Sequence, residues 1–391
     1  MQKENLYIIG DAEQKLKTVA SGSVKLIYID PPYNTGSKFI YNDKRAKDEW
    51  AEFMEPKLAD SRRVLSEDGV IFISIDDSEY VSLRIICDKI FGPANHLGTL
   101  ITRQATRSNS KHINTIHEYV VCYAKNKLKT RKFETDRLNI PLYEQAIKKI
   151  TRSVSRVHKA SGQQAAESHL KELLKHYEHV DGFSWLKIYN MVDKDGRVYF
   201  AKDLSAPGEP NRLTIPEIGL DLAPLKSRRW SSRAKMVELH QKGLLSYKNG
   251  RPYRKSLLVD SKDSLMSMLN FYSRQGTHDL DRLGLKRVFD TPKPVDMIKL
   301  FILCVCSSND TVLDYFAGSA TTGQAVWEVN KNMGYNLNFI LIQLPEPLGD
   351  NATLSKLLTS EGLPLNIASI GILRLNRASQ KLGNPKFTIV N

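Results

Sequence analysis

The segment Asp30-Pro31-Pro32-Tyr33 places two hydrogen-bond acceptors and an aromatic ring directly after an apolar run. Proline has no amide hydrogen to donate and fixes its backbone φ at about −65°, so we expect the Pro31 carbonyl to point outward and accept a hydrogen bond. The Asp30 carboxylate is a second acceptor, and Tyr33 offers a flat face. Together these groups can hold a planar base that carries an exocyclic amino group. The alternative is an Asp-Pro turn that only ends a strand.

A second candidate site is the segment DYFAGSATTG, residues 314–323, where an apolar run passes into a helical pattern. Its small residues would let a ligand approach the backbone closely. A loop of this kind is a weak signal by itself, because it can also be an ordinary tight turn. The chain lacks the GxGxxG and GxxxxGK[ST] patterns, so neither a dinucleotide enzyme nor an ATP-hydrolysing P-loop enzyme is supported.

Both segments follow short apolar runs that are typical of buried strands. Further runs of this type lie near residues 5–10, 69–76, 97–103, 117–125 and 338–344, and helical patterns alternate with them. This alternation predicts an α/β fold with a mostly parallel sheet and helices on both faces. Because ligands of such sheets bind beyond the carboxyl ends of the strands, we expect Asp30 and Asp314 to face one cleft.

The composition favours a polyanionic partner. The 391 residues carry a net charge of +14, and Lys or Arg side chains that neutralise phosphates gain affinity by releasing counterions. The alternative is a generally basic surface. The four cysteines show no metal-binding or disulfide spacing and predict buried thiols of a cytoplasmic protein without a metal site. No apolar run is long enough to predict a membrane span.

The middle of the chain, residues 126–285, differs from the rest. It is rich in Lys, Arg, Ser and His, and a helical pattern over about residues 140–178 precedes several hairpin-like pieces. We therefore predict three regions: an N-terminal half-domain over 1–125, a basic domain over 126–285, and a C-terminal half-domain over 286–391. The alternative for the helical part is a charged helix that merely packs on the core.

The two motifs together resemble those of the DNA amino-methyltransferases that use S-adenosylmethionine. In that family a D/N/S-PP-Y/F/W tetrapeptide holds the target amine, and an FxGxG-type loop holds the cofactor. The order tetrapeptide, basic segment, loop is similar to the β group. The pieces HEYVVCYAKN and FDTPKPVDMIKL resemble modification subunits of type III restriction systems. The resemblance implies a Rossmann-like methyltransferase sheet, circularly permuted in sequence, with an inserted target-recognition domain between its halves.

For catalysis, the resemblance implies that Asp30 and the carbonyl of Pro31, held by Pro32, accept the hydrogens of the target amine while Tyr33 stacks on the base. The amine is unreachable inside a duplex, so the base would be flipped out of double-stranded DNA. The resemblance further implies that an aspartate at the first position favours adenine N6 over cytosine N4.

For the cofactor, the resemblance implies contacts from several strand ends. Asp314 would bind the methionine ammonium, Asp11 the adenine amine, and Lys293 the cofactor carboxylate. Asp11 is alternatively a helix N-cap, and Lys293 a solvated lysine. The implied cofactor-binding residues are Asp11, Asp30, Lys293, Asp314, Phe316, Gly318, Ser319, Thr321 and Gln343.

Two positions depart from the family pattern. Ala320 stands where a glycine is usual and adds a methyl group near the ligand. Gln343 replaces the acid that often holds the cofactor ribose, although its amide can still bind a diol. Both changes put the affinity for the cofactor in question more than the identity of the family.

The basic middle is expected to contact DNA, and residues 103–111 are expected to form a loop over the active cleft. The candidate DNA contacts are Arg228, Arg229, Trp230, Arg251, Arg254 and Lys255. A homodimer and a separate restriction subunit are further expectations from the resemblance. The alternatives are methylation of cytosine N4, of RNA or of a protein glutamine, and a catalytically silent DNA-binding subunit.

Overall fold

The computed structural model of the chain describes residues 4–35, 47–103, 111–349 and 351–391. These residues form two compact units. The first, called the sheet unit, contains the described residues up to Glu134 together with Ser264–Asn391, and the second, called the basic unit, is Thr135–Asp263.

The first part of the sheet unit alternates strands and helices, as the sequence predicts. Its elements are β1 (Leu6–Ile9), α1 (Ala12–Leu16), β2 (Val24–Ile29), α2 (Lys47–Val64), β3 (Leu65–Ile75), α3 (Tyr80–Phe91), β4 (His96–Arg103) and β5 (His117–Ala124).

The middle of the chain contains one long helix, one short helix and ten short strands in its described residues. They are β6 (Glu134–Asp136), α4 (Pro141–Lys175), β7 (Met191–Val192), β8 (Val198–Asp203), β9 (Ser205–Pro207), β10 (Leu213–Ile215), β11 (Leu220–Leu222), β12 (Arg228–Trp230), α5 (Arg233–Gln241), β13 (Leu245–Lys248), β14 (Arg251–Leu257) and β15 (Lys262–Ser264).

The chain then returns to the sheet unit. Its last elements are β16 (Met268–Tyr272), α6 (Ser273–Arg282), α7 (Val295–Val305), β17 (Thr311–Asp314), α8 (Thr321–Met333), β18 (Asn338–Gln343), α9 (Ala352–Ser360), α10 (Ile367–Leu382) and β19 (Thr388–Val390). Short 3-10 helices cover Pro93–Asn95, Arg137–Asn139, Ser184–Ile188, Pro216–Ile218 and Leu258–Asp260.

Strands from both ends of the chain build one sheet in the order β16-β4-β5-β3-β2-β17-β18-β1-β19. Late strand β17 pairs in parallel with early strand β2, with Val312 opposite Leu26. The sheet is mostly parallel, as predicted, but β5 runs antiparallel to both β3 and β4. The α/β class is therefore confirmed, with an antiparallel strand that the alternation pattern did not predict.

The sheet is covered on both faces, because successive residues of a strand point to opposite sides. In β2, Leu26 and Tyr28 join a core that contains residues of α7, α8 and α10. Ile27 and Ile29 join a second core that contains residues of α1, α2 and α3. This burial on both faces explains why the strand reads as a continuous apolar run. All four cysteines are buried and unpaired.

The basic unit is shorter than the predicted segment 126–285. Strand β16 pairs with β4 and extends the large sheet. Helix α6 lies so close to the next segment that a Cβ added to Gly276 would come within 1.8 Å of the Pro292 carbonyl oxygen. Residues 264–285 therefore pack as part of the sheet unit. The middle region extends over Thr135–Asp263 instead of the predicted 126–285.

Candidate functional site

The carboxyl ends of four neighbouring parallel strands surround one cavity of about 970 Å³, which is open to solvent. Asp30 follows β2, Asp314 ends β17, Gln343 ends β18, and Asp11 lies just after β1. All four line the cavity. The prediction that Asp30 and Asp314 face one cleft is confirmed, although about 280 residues separate them in the chain.

The Asp30 carboxylate belongs to a four-residue cluster of polar side chains. The Tyr33 hydroxyl donates to Asp30 Oδ1 at 2.8 Å and accepts from Lys293 Nζ at 2.8 Å. The same ammonium lies 3.1 Å from Asp30 Oδ1 and 3.0 Å from Glu118 Oε2. Asp30 Oδ2 accepts no hydrogen bond within the described part of the chain, so one carboxylate oxygen is available to an incoming N–H group.

Burial and ion pairing both shift the protonation of this cluster. Burial raises the pKa of Asp30, and the nearby Lys293 ammonium opposes that rise. Burial alone would lower the pKa of Lys293, but the carboxylates of Asp30 and Glu118 outweigh it and hold that pKa well above its usual value. Lys293 is therefore a cation that two carboxylates share, rather than the solvated lysine considered as the alternative.

The prolines give the tetrapeptide two differently used carbonyls. Trp50 Nε1 on helix α2 donates to the Pro32 carbonyl at 2.7 Å, and this indole is fully buried. Among the described residues no donor contacts the Pro31 carbonyl. The Pro31 oxygen is therefore not engaged by those residues, although Pro31 is buried, and its role as an acceptor stays a prediction.

The small-residue loop between β17 and α8 has a tightly bent backbone. Gly318 and Ala320 both have positive φ, at 50° and 61°. A Cβ on Gly318 would meet the Phe289 ring at 3.1 Å, so only glycine fits there without a shift of that ring. The Gly318 amide donates to Gln343 Oε1 at 2.6 Å. The Gln343 side chain therefore holds the loop in this structure.

Asp314 is a buried carboxyl group at the base of the loop. Thr322 Oγ1 donates to one of its oxygens at 2.6 Å, and the Phe316 amide donates to the other at 3.1 Å. Burial is the main cause that raises the pKa of Asp314 to about 7, and the charge of Asp30 adds to this rise. The group therefore titrates near neutrality and is suited to bind a cation.

A buried arginine lies behind the loop, and the sequence reading missed it. Arg374 on α10 is fully buried, and its Nη1 donates to Ser319 Oγ at 3.0 Å and to Thr321 Oγ1 at 2.6 Å. Its Nε donates to Gln324 Oε1, and its Nη2 has no partner among the described residues. Burial lowers the pKa of Arg374 to about 10. The guanidinium thus fixes two loop hydroxyls without a carboxylate of its own.

The remaining predicted cofactor residues fall into two groups. Phe316, Gly318, Ser319 and Thr321 line the cavity. Asp11 also lines it, but its carboxylate caps helix α1 by accepting from the Glu13 amide at 2.9 Å. The helix-cap interpretation of Asp11 is therefore confirmed, and its contact with a cofactor stays a prediction.

Two predicted DNA contacts are contradicted by burial. Trp230 is 5% exposed, packs in an apolar core of the basic unit and donates through Nε1 to the Ala223 carbonyl. Lys255 is 9% exposed and pairs with Asp193 at 3.2 Å. Both side chains stabilise the unit instead of facing a partner.

Four predicted DNA contacts remain at least partly accessible. Arg228 pairs with Asp203 at 3.2 Å, and Arg251 lies 4.0 Å from the same carboxylate. Arg229 is exposed and Arg254 is half-buried. Their contact with DNA stays a prediction.

Other expectations concern features outside the cavity. Most of the predicted loop 103–111 lies outside the described residues. In the described ranges, no group of His, Cys, Asp and Glu is arranged to bind a metal ion. No helix in those ranges is sufficiently long and apolar to cross a membrane.

Comparison with known proteins finds relatives over most of the chain. The EcoP15I Mod subunit of a type III restriction-modification enzyme from Escherichia coli is 29% identical over 90% of this chain and 60% of its own length. The type II methyltransferase M.KpnI from Klebsiella pneumoniae is 28% identical over 97% of this chain and 88% of its own length. The chain thus spans less than two thirds of the Mod subunit.

A solved structure of a putative DNA modification methylase from Thermus thermophilus, in complex with S-adenosyl-L-methionine, is also similar. The match covers 99% of this chain and 100% of the chain in that structure, with 13% sequence identity and a TM-score of 0.43. That score is too low to support a functional conclusion.

A model of the DNA methylase family of N6 and N4 methyltransferases matches residues 24–372. This range contains both the tetrapeptide at Asp30 and the small-residue loop at Gly318. The match confirms, at the level of the family, the predicted resemblance to the DNA amino-methyltransferases. The chain therefore belongs to the DNA methylase family.

Proposed function

We propose that this chain transfers a methyl group from S-adenosylmethionine to the N6 amine of adenine in double-stranded DNA. One observation carries the proposal: an acceptor site at Asp30 and a small-residue loop beside Asp314 line the same cavity. Membership in the family supports the reaction class, and the names of the Mod relatives and of M.KpnI support a DNA substrate.

The cavity residues fit the proposed cofactor. When bound, S-adenosylmethionine supplies an electrophilic methyl group on a sulfonium. Asp314 is a buried carboxyl group beside the loop and is suited to hold the methionine ammonium. Gly318 lines the cavity without a side chain, so a ligand can approach the loop backbone there. The Phe316 ring lines the cavity next to Phe53, at 6.0 Å between ring centroids.

On the side of the base, the tetrapeptide would prepare the amine. Asp30 Oδ2 and the Pro31 carbonyl accept its two hydrogens, which pulls the nitrogen toward tetrahedral geometry and exposes its lone pair. Acceptors that are already oriented stabilise the charge that develops on nitrogen, and in-line positioning lowers the barrier further. Because burial raises the pKa of Asp30, this carboxylate is also suited to take up the proton that the amine releases.

The target base would be flipped out of the duplex. Unstacking costs on the order of a few kcal/mol, and stacking on the Tyr33 ring would return part of that cost. We further propose that the sheet is the circularly permuted methyltransferase sheet and that the basic unit is its target-recognition domain. A homodimer and a restriction partner stay predictions.

The test is to incubate the purified chain with radiolabelled S-adenosylmethionine and with duplex DNA, RNA or protein, and to identify the methylated nucleoside or amino acid by mass spectrometry. We expect N6-methyladenine from duplex DNA and its loss with Asp30→Ala. N4-methylcytosine or methylated RNA would replace the proposed substrate by an alternative. Failure to bind S-adenosylmethionine in calorimetry would favour the catalytically silent subunit.

A further inference from the structure

The first half of helix α4 carries a row of four exposed cations on one face. Lys149, Arg152, Arg156 and Lys159 are spaced by three, four and three residues, which places them in line along the helix. We call these four residues the α4 stripe. The helical geometry continues until Gly162, where the backbone leaves the helical region at φ 79°.

The opposite face of this helix fixes the orientation of the stripe. Ala146, Ile147, Ile150 and Val154 are buried in the core of the basic unit. Because apolar residues anchor that face, the cations of the stripe are held toward solvent by the fold of the unit.

None of the four cations has a hydrogen bond or an ion pair to the described residues, whereas several other cations of the basic unit do. On the same helix, Lys148 pairs with Glu144 at 2.5 Å. In helix α5, Lys235 and Lys242 both pair with Glu238, at 2.9 Å and 2.7 Å. Carboxylates that neutralise cations elsewhere in the unit are therefore missing at the stripe.

The charge count of the unit points in the same direction. Thr135–Asp263 contains 24 Lys and Arg against 15 Asp and Glu, so about a third of the chain holds nine of the 14 net charges. An uncompensated row of cations costs free energy through mutual repulsion unless an anion binds to it. A repeating anion of matching spacing is the partner that this row fits.

We propose that the α4 stripe binds the phosphate backbone of the DNA substrate; the proposal rests on the proposed function. The stripe is about 15 Å long at a rise of about 1.5 Å per residue. Over that length of duplex axis one strand presents about four phosphates, one for each rise of about 3.4 Å. Phosphate contacts position the duplex without reading its sequence. The stripe therefore supplies affinity and register, and base recognition comes from other residues.

The experiment compares two sets of substitutions. The stripe variant carries Lys149→Gln, Arg152→Gln, Arg156→Gln and Lys159→Gln, and Gln keeps a similar helix propensity. The matched control carries Lys148→Gln, Lys235→Gln and Lys242→Gln, which remove exposed but ion-paired cations. Binding of a fluorescent DNA duplex is measured by anisotropy between about 0.05 and 0.2 M salt.

We expect DNA binding by the stripe variant to depend less on salt. The slope of log affinity against log salt is negative. Its magnitude should become smaller by about 0.9 for each phosphate that the variant no longer neutralises, up to about 3.6 in total. The decrease should be equal for two unrelated duplex sequences. The control should keep the slope of the parent chain, and calorimetry should give all three proteins the same affinity for S-adenosylmethionine.

Three results would overturn the proposal. If the parent chain binds duplex DNA and the stripe variant keeps the same slope, the stripe makes no phosphate contact, while the proposed function stands. A weaker affinity confined to one duplex sequence would indicate base recognition instead. If the parent chain binds no duplex at all, the proposed function and the stripe fail together.

Discussion

Lys293 Nζ lies 3.1 Å from Asp30 Oδ1, and Glu118 Oε2 lies 3.0 Å from the same ammonium. Two carboxylates therefore share one cation, and the cluster keeps a net negative charge. This arrangement leaves Asp30 partly uncompensated, which is what an acceptor for amine hydrogens requires. Glu118 thereby acts as a positioning residue, because it touches Lys293 and the Tyr33 hydroxyl rather than the cavity.

We expect Glu118→Gln to slow methyl transfer by about tenfold to a hundredfold. Without the second carboxylate, Lys293 pairs with Asp30 alone, and a hydrogen bond to a charged group is worth about 1.5–3 kcal/mol. Single-turnover kinetics on duplex DNA measure the rate. Asp77→Asn is the control, since Asp77 accepts from Tyr119 and not from Lys293. A rate equal to that of the parent chain would refute the role of Glu118.

Cofactor affinity is expected to depend on pH through Asp314. Burial raises the pKa of Asp314 to about 7, so the carboxylate that attracts the methionine ammonium is present above pH 7 and is lost below it. Affinity should fall as pH decreases from 8 to 6 and approach a tenfold loss per pH unit, because one unit corresponds to about 1.36 kcal/mol. Calorimetry checks this, and Asp314→Asn should flatten the profile. A steep profile in that variant would assign the titration to another group.

The same carboxyl group should also affect stability, with the opposite trend. The pKa of Asp314 is higher in the folded chain than its usual value, so its protonated form favours folding at low pH and this contribution is lost as pH rises through 7. Asparagine does not ionise. The melting temperature of Asp314→Asn relative to the parent chain should therefore increase from pH 5 to pH 8. A difference that is constant with pH would contradict the raised pKa.

The sequence predicts the central strands and their chemistry well, because the signals are local. Strands buried on both faces read as apolar runs, and a run that ends in Asp30 or Asp314 marks the edge where ligands bind. The antiparallel direction of β5 is not given by its apolar pattern, because that pattern is the same for both strand directions. Strand β16 has only five residues, and its pairing with the distant strand β4 is not visible in the local sequence, so the predicted boundary at 285 is too late.

The polar parts of the site depend on contacts between distant segments, which one sequence does not reveal. Glu118 lies on β5, and only the fold brings it to Lys293. Arg374 is in a helix with other charged residues, and nothing in its local pattern distinguishes it as fully buried. Conversely, the sequence predicts Trp230 as an exposed recognition residue because it follows two arginines, although its ring packs in an apolar core of the basic unit.

Arg374 is expected to position the small-residue loop. Arg374→Met removes the donors that hold Ser319 and Thr321, and we expect the affinity for S-adenosylmethionine to fall about tenfold, because each hydrogen bond from a charged group contributes about 1.5–3 kcal/mol and part is recovered by rearrangement. Stability should change little, because the cost of leaving Ser319 and Thr321 without a donor is offset by the removal of a buried charge that has no direct ion pair among the described residues.

The control for this variant is Arg377→Met on the same helix. Arg377 pairs with Glu361 at the surface and does not contact the loop. Calorimetry and thermal unfolding are measured for both proteins. The role of Arg374 in positioning the loop would be refuted if Arg374→Met bound S-adenosylmethionine as tightly as the control. It would also be refuted if the loss of affinity were accompanied by a lower melting temperature, because Arg374 would then only stabilise the fold.

Trp50 and Trp327 form a matched pair that tests how the tetrapeptide is held. Both indoles are buried, at 0% and 2% exposure. Trp50 Nε1 donates to the Pro32 carbonyl, whereas Trp327 Nε1 has no partner among the described residues. Replacement by Phe removes similar volume in each case, but only Trp50→Phe leaves a carbonyl of the tetrapeptide without its donor.

Trp50→Phe should therefore cost about 1–3 kcal/mol more free energy of unfolding than Trp327→Phe, which is the cost of an unsatisfied partly buried acceptor. Methyl transfer should slow only in Trp50→Phe, because the Pro32 carbonyl is then no longer held and the neighbouring Pro31 acceptor loses its orientation. Urea unfolding measures the free energy of unfolding, and single-turnover kinetics measure the rate of methyl transfer. Equal costs in the two variants, with unchanged methyl transfer, would show that packing of the indole alone holds the tetrapeptide.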